Sequence, residues 1–131
     1  MAHVNSFRDL EVYGLWRRLS KEIFETSKKF PGGEMFSLTN QVRRSSRSVG
    51  AQIAEAWAKR KYKKHFISKL TEADGEQLET QHWIEIALDS CYIQNDLAIR
   101  LLEQYQSIGR MLNSMINKAG SFCDNYNQRL L

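Results

Sequence analysis

The sequence predicts an all-α fold, an antiparallel up-and-down four-helix bundle, and three observations predict it. Four stretches carry apolar residues at steps of three and four, the period of one buried helix face. Turn residues are scarce, with one Pro and seven Gly in 131 residues, whereas an all-β chain needs a turn about every ten residues. The connections are short, which forces consecutive helices to lie antiparallel. The length fits one domain, residues 1–131, burying roughly two-thirds of the surface its unfolded form exposes.

Helix 1 is expected over about residues 7–29. Ser6 and Asp9 form a capping-box pair, Leu10, Val12, Leu15, Trp16, Leu19, Ile23 and Phe24 make the inward set, and Lys28 and Lys29 suit the negative end of the helix dipole. Pro31, Gly32 and Gly33 end it. Helix 2, about 37–58, is capped by Ser37 and buries Leu38, Val42, Ser45, Val49, Ile53 and Trp57. Ser45, Ser46, Ser48, Gly50, Ala51, Ala54, Ala56 and Ala58 leave room for a neighbouring helix backbone. No Gly or Pro marks the end of helix 2, and the bend is placed around Lys59 to Lys61.

Helix 3, about 62–89, points Phe66, Ile67, Leu70, Ala73, Leu78, Trp83, Ile84, Ala87 and Leu88 inward, and a Gly kept at position 75 implies close contact there. The run from Trp83 to Leu88 is apolar around most of its circumference, so Trp83, Ile84 and Ile86 are the candidate oligomer interface. Asn95 is the expected cap of helix 4, about 95–123, whose inward set is Leu97, Leu101, Tyr105, Ile108, Leu112, Met115, Ala119 and Phe122.

Composition narrows the function classes. Hydrophobic residues make up 42% and charged residues 26%, and the net charge is +4. That charge is unevenly placed: from Gln41 to Lys69 nine cations face a single acid, Glu55, while the remaining ten Lys/Arg and fourteen Asp/Glu leave a deficit of four. Cys91 and Cys123 are too few and too far apart for a disulfide framework or a zinc site. Residues 1–6 lack a basic segment followed by an apolar core, and no window nears eighteen uninterrupted apolar residues, so a soluble cytoplasmic protein is expected.

No residue set reads as an active site. Glu79 and His82 have the Glu-x-x-His spacing of di-iron bundles, but the motif is single, since neither His3 nor His65 has a Glu three residues before it; no metal or cofactor is expected. Cys91 has no nominated base, and Gly32-Gly33 lacks the following Lys and Ser/Thr of a phosphate loop. The run Lys59-Arg60-Lys61-Tyr62-Lys63-Lys64 sets five cations and one aromatic in six residues. Cations on phosphates release condensed counterions, and Tyr62 can stack on an unpaired base. The structural alternative is a solvated helix end that keeps the bundle soluble.

Phe7-Arg8-Asp9-Leu10-Glu11-Val12, Leu38-Thr39-Asn40-Gln41-Val42-Arg43-Arg44-Ser45, Ile53-Ala54-Glu55 with Arg60 and Tyr62 after it, and Leu78-Glu79-Thr80-Gln81 resemble the four-helix bundle proteins of the 23S rRNA intervening-sequence family. The similarity runs over nearly the whole chain. It implies a four-helix bundle assembling as a ring-shaped homopentamer without catalytic activity. Members are encoded within insertions in ribosomal RNA genes, and a related branch serves retroelement reverse transcriptases as an accessory subunit, with nucleic-acid binding attributed to its basic surface. By position, Arg43, Arg44, Glu55 and Glu79 match charged helix positions read as interhelical or intersubunit ion pairs, and Arg60 matches a basic position beyond Ile-Ala-Glu. The chain departs from the pattern at Gln52, where Asn is usual, and at Ala56 and Ala58, where Gly is usual, which favours a more helical junction after Glu55.

Two main readings follow. One is a non-catalytic RNA- or DNA-binding homo-oligomer that holds phosphates with Arg43, Arg44, Arg47, Lys59, Arg60, Lys61, Lys63 and Lys64, Tyr62 among them. The other is an interaction scaffold whose basic run docks an acidic protein partner, such as a reverse transcriptase or a ribosomal component. A metal enzyme is the third and weakest.

Overall fold

The computed structural model describes residues 4–123. Four long helices carry the fold: α1 (Glu11–Ser27), α2 (Asn40–Ala58), α3 (Lys63–Asp89) and α4 (Asn95–Asn117), followed by the short α5 (Ala119–Phe122). No strand occurs among the described residues. Every consecutive pair is antiparallel, as cross-helix partners show. Trp16 meets Ser46 while Ser27 meets Arg43 on α1 and α2; Ser45 meets Thr80 while Glu55 meets Lys69 on α2 and α3; Asp74 meets Asn113 while Phe66 stacks on Phe122 between α3 and the last two helices. α1 packs on both α2 and α4, closing the bundle.

Each helix buries one stripe at the expected period. Val12, Leu15, Leu19 and Ile23 line α1; Val42, Ser45, Ser46, Val49, Gly50, Ile53 and Ala56 line α2; Leu101, Tyr105, Ile108, Leu112 and Met115 line α4. A fully buried Leu or Ile of this kind contributes roughly 1.5–3 kcal/mol over its exposed state. Helix 3 differs from expectation: its seam runs Phe66, Leu70, Ala73, Gln77, Thr80, Ile84 and Ala87, and Leu78 is 56% exposed. Polar side chains take the middle of this seam because partners satisfy them. Ser45 and Thr80 share a hydrogen bond of 2.9 Å, and Gln77 donates to Asp74 (2.8 Å) and accepts from Gln81 (2.7 Å). No buried side-chain polar atom among the described residues lacks a partner.

Several predicted ends move. Ser6 and Asp9 do form a capping box, but on a 3-10 turn, Phe7–Asp9; Leu10 is extended and α1 starts at Glu11. Ser37 does not cap α2, because its hydroxyl donates to Glu34 within a 3-10 turn (Gly32–Glu34) and a π-type turn (Met35–Thr39) that lead into the helix. Asn95 is the first residue of α4, whose cap is Gln94. Trp57 is half-buried, and Ala56 takes the seam position beside it. The bend after α2 falls where expected, between Ala58 and Lys63.

Close approach occurs at other glycines than position 75, where a Cβ would meet nothing within 4 Å. At Gly50 a Cβ would enter the space filled by the Trp16 ring, and at Gly109 it would come within 2.7 Å of Gln77 Nε2. α3 ends in a Schellman turn: Cys91 N–H donates to Leu88 O (3.0 Å) and Tyr92 N–H to Ala87 O (2.9 Å), with Cys91 left-handed at φ 64°. In urea unfolding, Gly50→Ala is expected to lose roughly 1–3 kcal/mol by overpacking against Trp16. Gly75→Ala should gain about 1 kcal/mol. Equal effects at the two sites would show that Trp16 does not seat on α2 as described.

Candidate nucleic-acid interface

The basic run forms one tip of the bundle. α2 ends at Ala58, Tyr62 N–H donates to Lys59 O (3.0 Å) to close a turn, and the extended Tyr62 hands the chain to α3. Lys59, Lys61, Lys63 and Lys64 are exposed, and Tyr62 is 57% exposed with its ring centroid 5.4 Å from that of His65. Lys59, Lys63 and Lys64 make no ion pair with any described carboxylate. Lys63 and Lys64 open a 27-residue helix that has no side-chain cap, adding like charge to the positive end of its dipole. An anion would relieve that repulsion. Arg60 folds back so that its guanidinium lies 3.6 Å from the Trp57 ring centroid and Nε donates to Trp57 O (2.8 Å).

The arginines of α2 do not join this tip in one strip, as the local charge excess had implied. Arg43 and Arg47, four residues apart, face α1, where their guanidiniums lie 4.7 and 5.6 Å from the Phe24 ring centroid; Lys28 approaches the same ring at 4.7 Å. Arg43 Nε also donates to Ser27 Oγ (2.8 Å). Arg44 turns the other way. It pairs with Glu79 and, at 3.3 Å, with Glu76 on α3, which spends its charge on neighbouring carboxylates at the bundle surface.

Of the expected ion pairs, Glu79 takes Arg44, and Glu55 takes Lys69 (3.1 Å), which also reaches Glu72 (3.2 Å). The amide of Gln52, with its nitrogen turned toward them, donates to Glu55 (3.2 Å) and Glu72 (2.8 Å). Arg43 pairs with no described carboxylate of the neighbouring helices; it lies over the Phe24 ring and donates to Ser27 instead. Of the three expected oligomer contacts, the structure removes only Ile84. Ile84 is 2% exposed and belongs to the core, while Trp83 and Ile86 are half-buried against it. The widest apolar exposure lies elsewhere, at Phe36 (82%), Leu78 (56%) and Ile99 (55%).

Glu79 and His82 both lie against Trp83: Glu79 accepts from Arg44 and from the Trp83 indole (3.0 Å), and His82 rests edge-on to the Trp83 ring. No metal-ligating cluster occurs among the described residues; His3 lies outside them. The sequence pattern assigns Phe24 and Trp57 to the core, not to cation contacts, and gives Ser27 and Glu76 no role. Spacing could have found two of them, since Lys28 stands four residues after Phe24 and Glu76 three before Glu79, on shared helix faces.

Architecture and surface together define an all-α bundle with a cationic hairpin tip. The family model of the 23S rRNA-intervening sequence protein matches residues 8–114, and the chain belongs to that family. It is also similar to a crystal structure described as a protein of unknown function from the S23 ribosomal protein family of Bacteroides thetaiotaomicron, at 27% identity and a TM-score of 0.73, over 81% of this chain and 95% of that one. No curated protein matches it. No described helix is long and apolar enough to cross a membrane.

The Trp83 indole, and after it Arg44, hold the Glu79 carboxyl below its ordinary value. The folded protein therefore binds fewer protons there than the unfolded chain. The stability this gives is complete above the unfolded value of about 4.3 and is lost as pH falls through the folded one. Thermal unfolding between pH 3 and 7 should show an acid loss that Glu79→Gln reduces, by at most about 1 kcal/mol for so exposed a pair. An unchanged acid slope in the variant would place that loss elsewhere.

Proposed function

We propose that this protein is a non-catalytic nucleic-acid-binding protein that works as a homo-oligomer and grips phosphates with the α2–α3 tip. The observation that carries this reading is the tip itself: Lys59, Lys63 and Lys64 are exposed without described ion pairs, beside an exposed Tyr62 and the stacked Arg60. Cations spent on neighbouring carboxylates have little left for phosphate, and these are unspent. Exposed Tyr62 adds a face for an unpaired base. Membership of a family named for an rRNA-intervening sequence makes structured RNA the first ligand to test.

A single tip of this size binds weakly. Repetition around a ring, the assembly that the family resemblance implies, would multiply it through high effective concentration. With Ile84 in the core, Trp83, Ile86 and the exposed Leu78 are apolar side chains of α3 left for a contact between copies. Leu78→Glu is expected to lower the mass seen by sedimentation while leaving helicity intact. An unchanged mass would remove Leu78 from any subunit contact.

The tip is tested by retention of structured RNA on the immobilised protein. Retention should fall steeply with salt and vanish in a Lys59→Gln, Lys63→Gln, Lys64→Gln triple variant. Retention that survives the triple variant refutes the reading. The acidic-partner scaffold is distinguished by recovery from nuclease-treated lysate, because only a protein partner remains once nucleic acid is digested.

A further inference from the structure

Two arginines of α2 and its following turn are built alike. In Arg43 the Nε–H donates to Ser27 Oγ (2.8 Å) and the guanidinium lies 4.7 Å from the Phe24 centroid; in Arg60 the Nε–H donates to Trp57 O (2.8 Å) and the guanidinium lies 3.6 Å from the Trp57 centroid. Each is held at the neck of its fork by a hydrogen bond and lies over an aromatic ring in a cation–π contact. The two terminal nitrogens of each fork have no partner among the described residues. Arg44 and Arg100 make the contrast, since their terminal nitrogens are consumed by Glu76 and Glu79 and by Glu22.

A guanidinium held at Nε by a hydrogen bond and over a ring by a cation–π contact presents its remaining donors to one direction, the arrangement that suits bidentate contact with a phosphate. Less side-chain freedom is lost when such a fork binds. Arg60 sits over Trp57, which lies fourteen residues along from Arg43 and returns to within about 40° of the same helix face at 100° per residue. The axial separation of the two forks is therefore roughly 20 Å at 1.5 Å per residue.

We propose that Arg43 and Arg60 are a pair of preset phosphate forks on one face of the molecule, so that the ligand is a polynucleotide strand long enough to reach both and not a nucleotide or an isolated phosphate. This rests on the nucleic-acid reading of the tip and specifies it. At one phosphate per 3.4 Å of axis along a strand, neighbouring phosphates cannot span the roughly 20 Å between the forks, so several nucleotides separate the two contacts. A trinucleotide reaches one fork, and a longer strand engages both, the second contact being intramolecular once the first is made.

The test uses the full chain with fluorescein-labelled RNA of three and of twenty nucleotides, followed by anisotropy across a potassium chloride series. The 20-mer is expected to bind at least tenfold more tightly than the trinucleotide. Arg43→Gln and Arg60→Gln should each weaken the 20-mer about three- to tenfold and reduce the slope of log affinity against log salt by about 1. Arg43→Lys keeps the charge but loses the fork and should keep the slope while still losing affinity. Arg100→Gln, which removes a spent arginine, should leave both readouts unchanged.

If the two glutamine variants bind the 20-mer as the parent does while the tip triple variant fails to bind, the fork proposal is overturned and the tip reading survives. Equal affinity for the trinucleotide and the 20-mer also overturns it. No RNA binding at either length overturns both. Thermal unfolding of each variant shows that a loss of affinity is not a loss of fold.

Discussion

Ser46 is the point at which the bundle is pinned. Its carbonyl accepts from the Trp16 indole (2.6 Å) and its hydroxyl bonds the buried Tyr105 hydroxyl (3.0 Å), so α1 and α4 are both tied to one residue of α2. Ser45, next along, meets Thr80 of α3. A buried polar group left without a partner costs about 1–3 kcal/mol, and turning α2 by one residue would strand all of these together. Burial also pushes the Tyr105 phenol well above its ordinary value, so the hydroxyl stays a neutral bridge. Gly50 lets the Trp16 ring lie against the α2 backbone and completes the lock.

That fixed rotation decides what each surface arginine can do. With Ser45 and Ser46 inward, Arg43 and Arg47 must emerge toward α1 and Phe24, and Arg44 toward α3 and its carboxylates. The α2–α3 side is thereby an ion-pair seam: Arg44 with Glu76 and Glu79, Lys69 with Glu55 and Glu72. Positive charge without such partners is left along the α1 side and at the tip. A chain that looks uniformly basic between residues 41 and 69 is thus divided into a structural set and an available set by the buried hydroxyls beneath it.

The helices were legible because apolar periodicity reports burial directly, most cleanly in α4, where Leu101, Tyr105, Ile108, Leu112 and Met115 all fall on the core face. The errors have one origin. Apolar character alone points Leu78 inward, but the seam there is held by Gln77, bonded to Asp74 and Gln81 on its own helix, and by Thr80, whose partner Ser45 lies on α2; such polar pairs are invisible to apolar periodicity. Ser37 has the chemistry of a cap, yet its hydroxyl answers to Glu34 through a π-type turn that no local pattern announces. The cationic tip needed no tertiary information, being contiguous in sequence. The division between Arg43 and Arg44 did, because it depends on which residues of α1 and α3 stand opposite.

The most direct test of this division is the response of arginine side-chain Nε–H signals in 15N NMR as an RNA oligonucleotide is added. The account predicts that the Nε–H signals of Arg43 and Arg60 shift in proportion to bound RNA while those of Arg44 and Arg100 stay in place. Movement of Arg44 with Arg43 and Arg60 unmoved would contradict it.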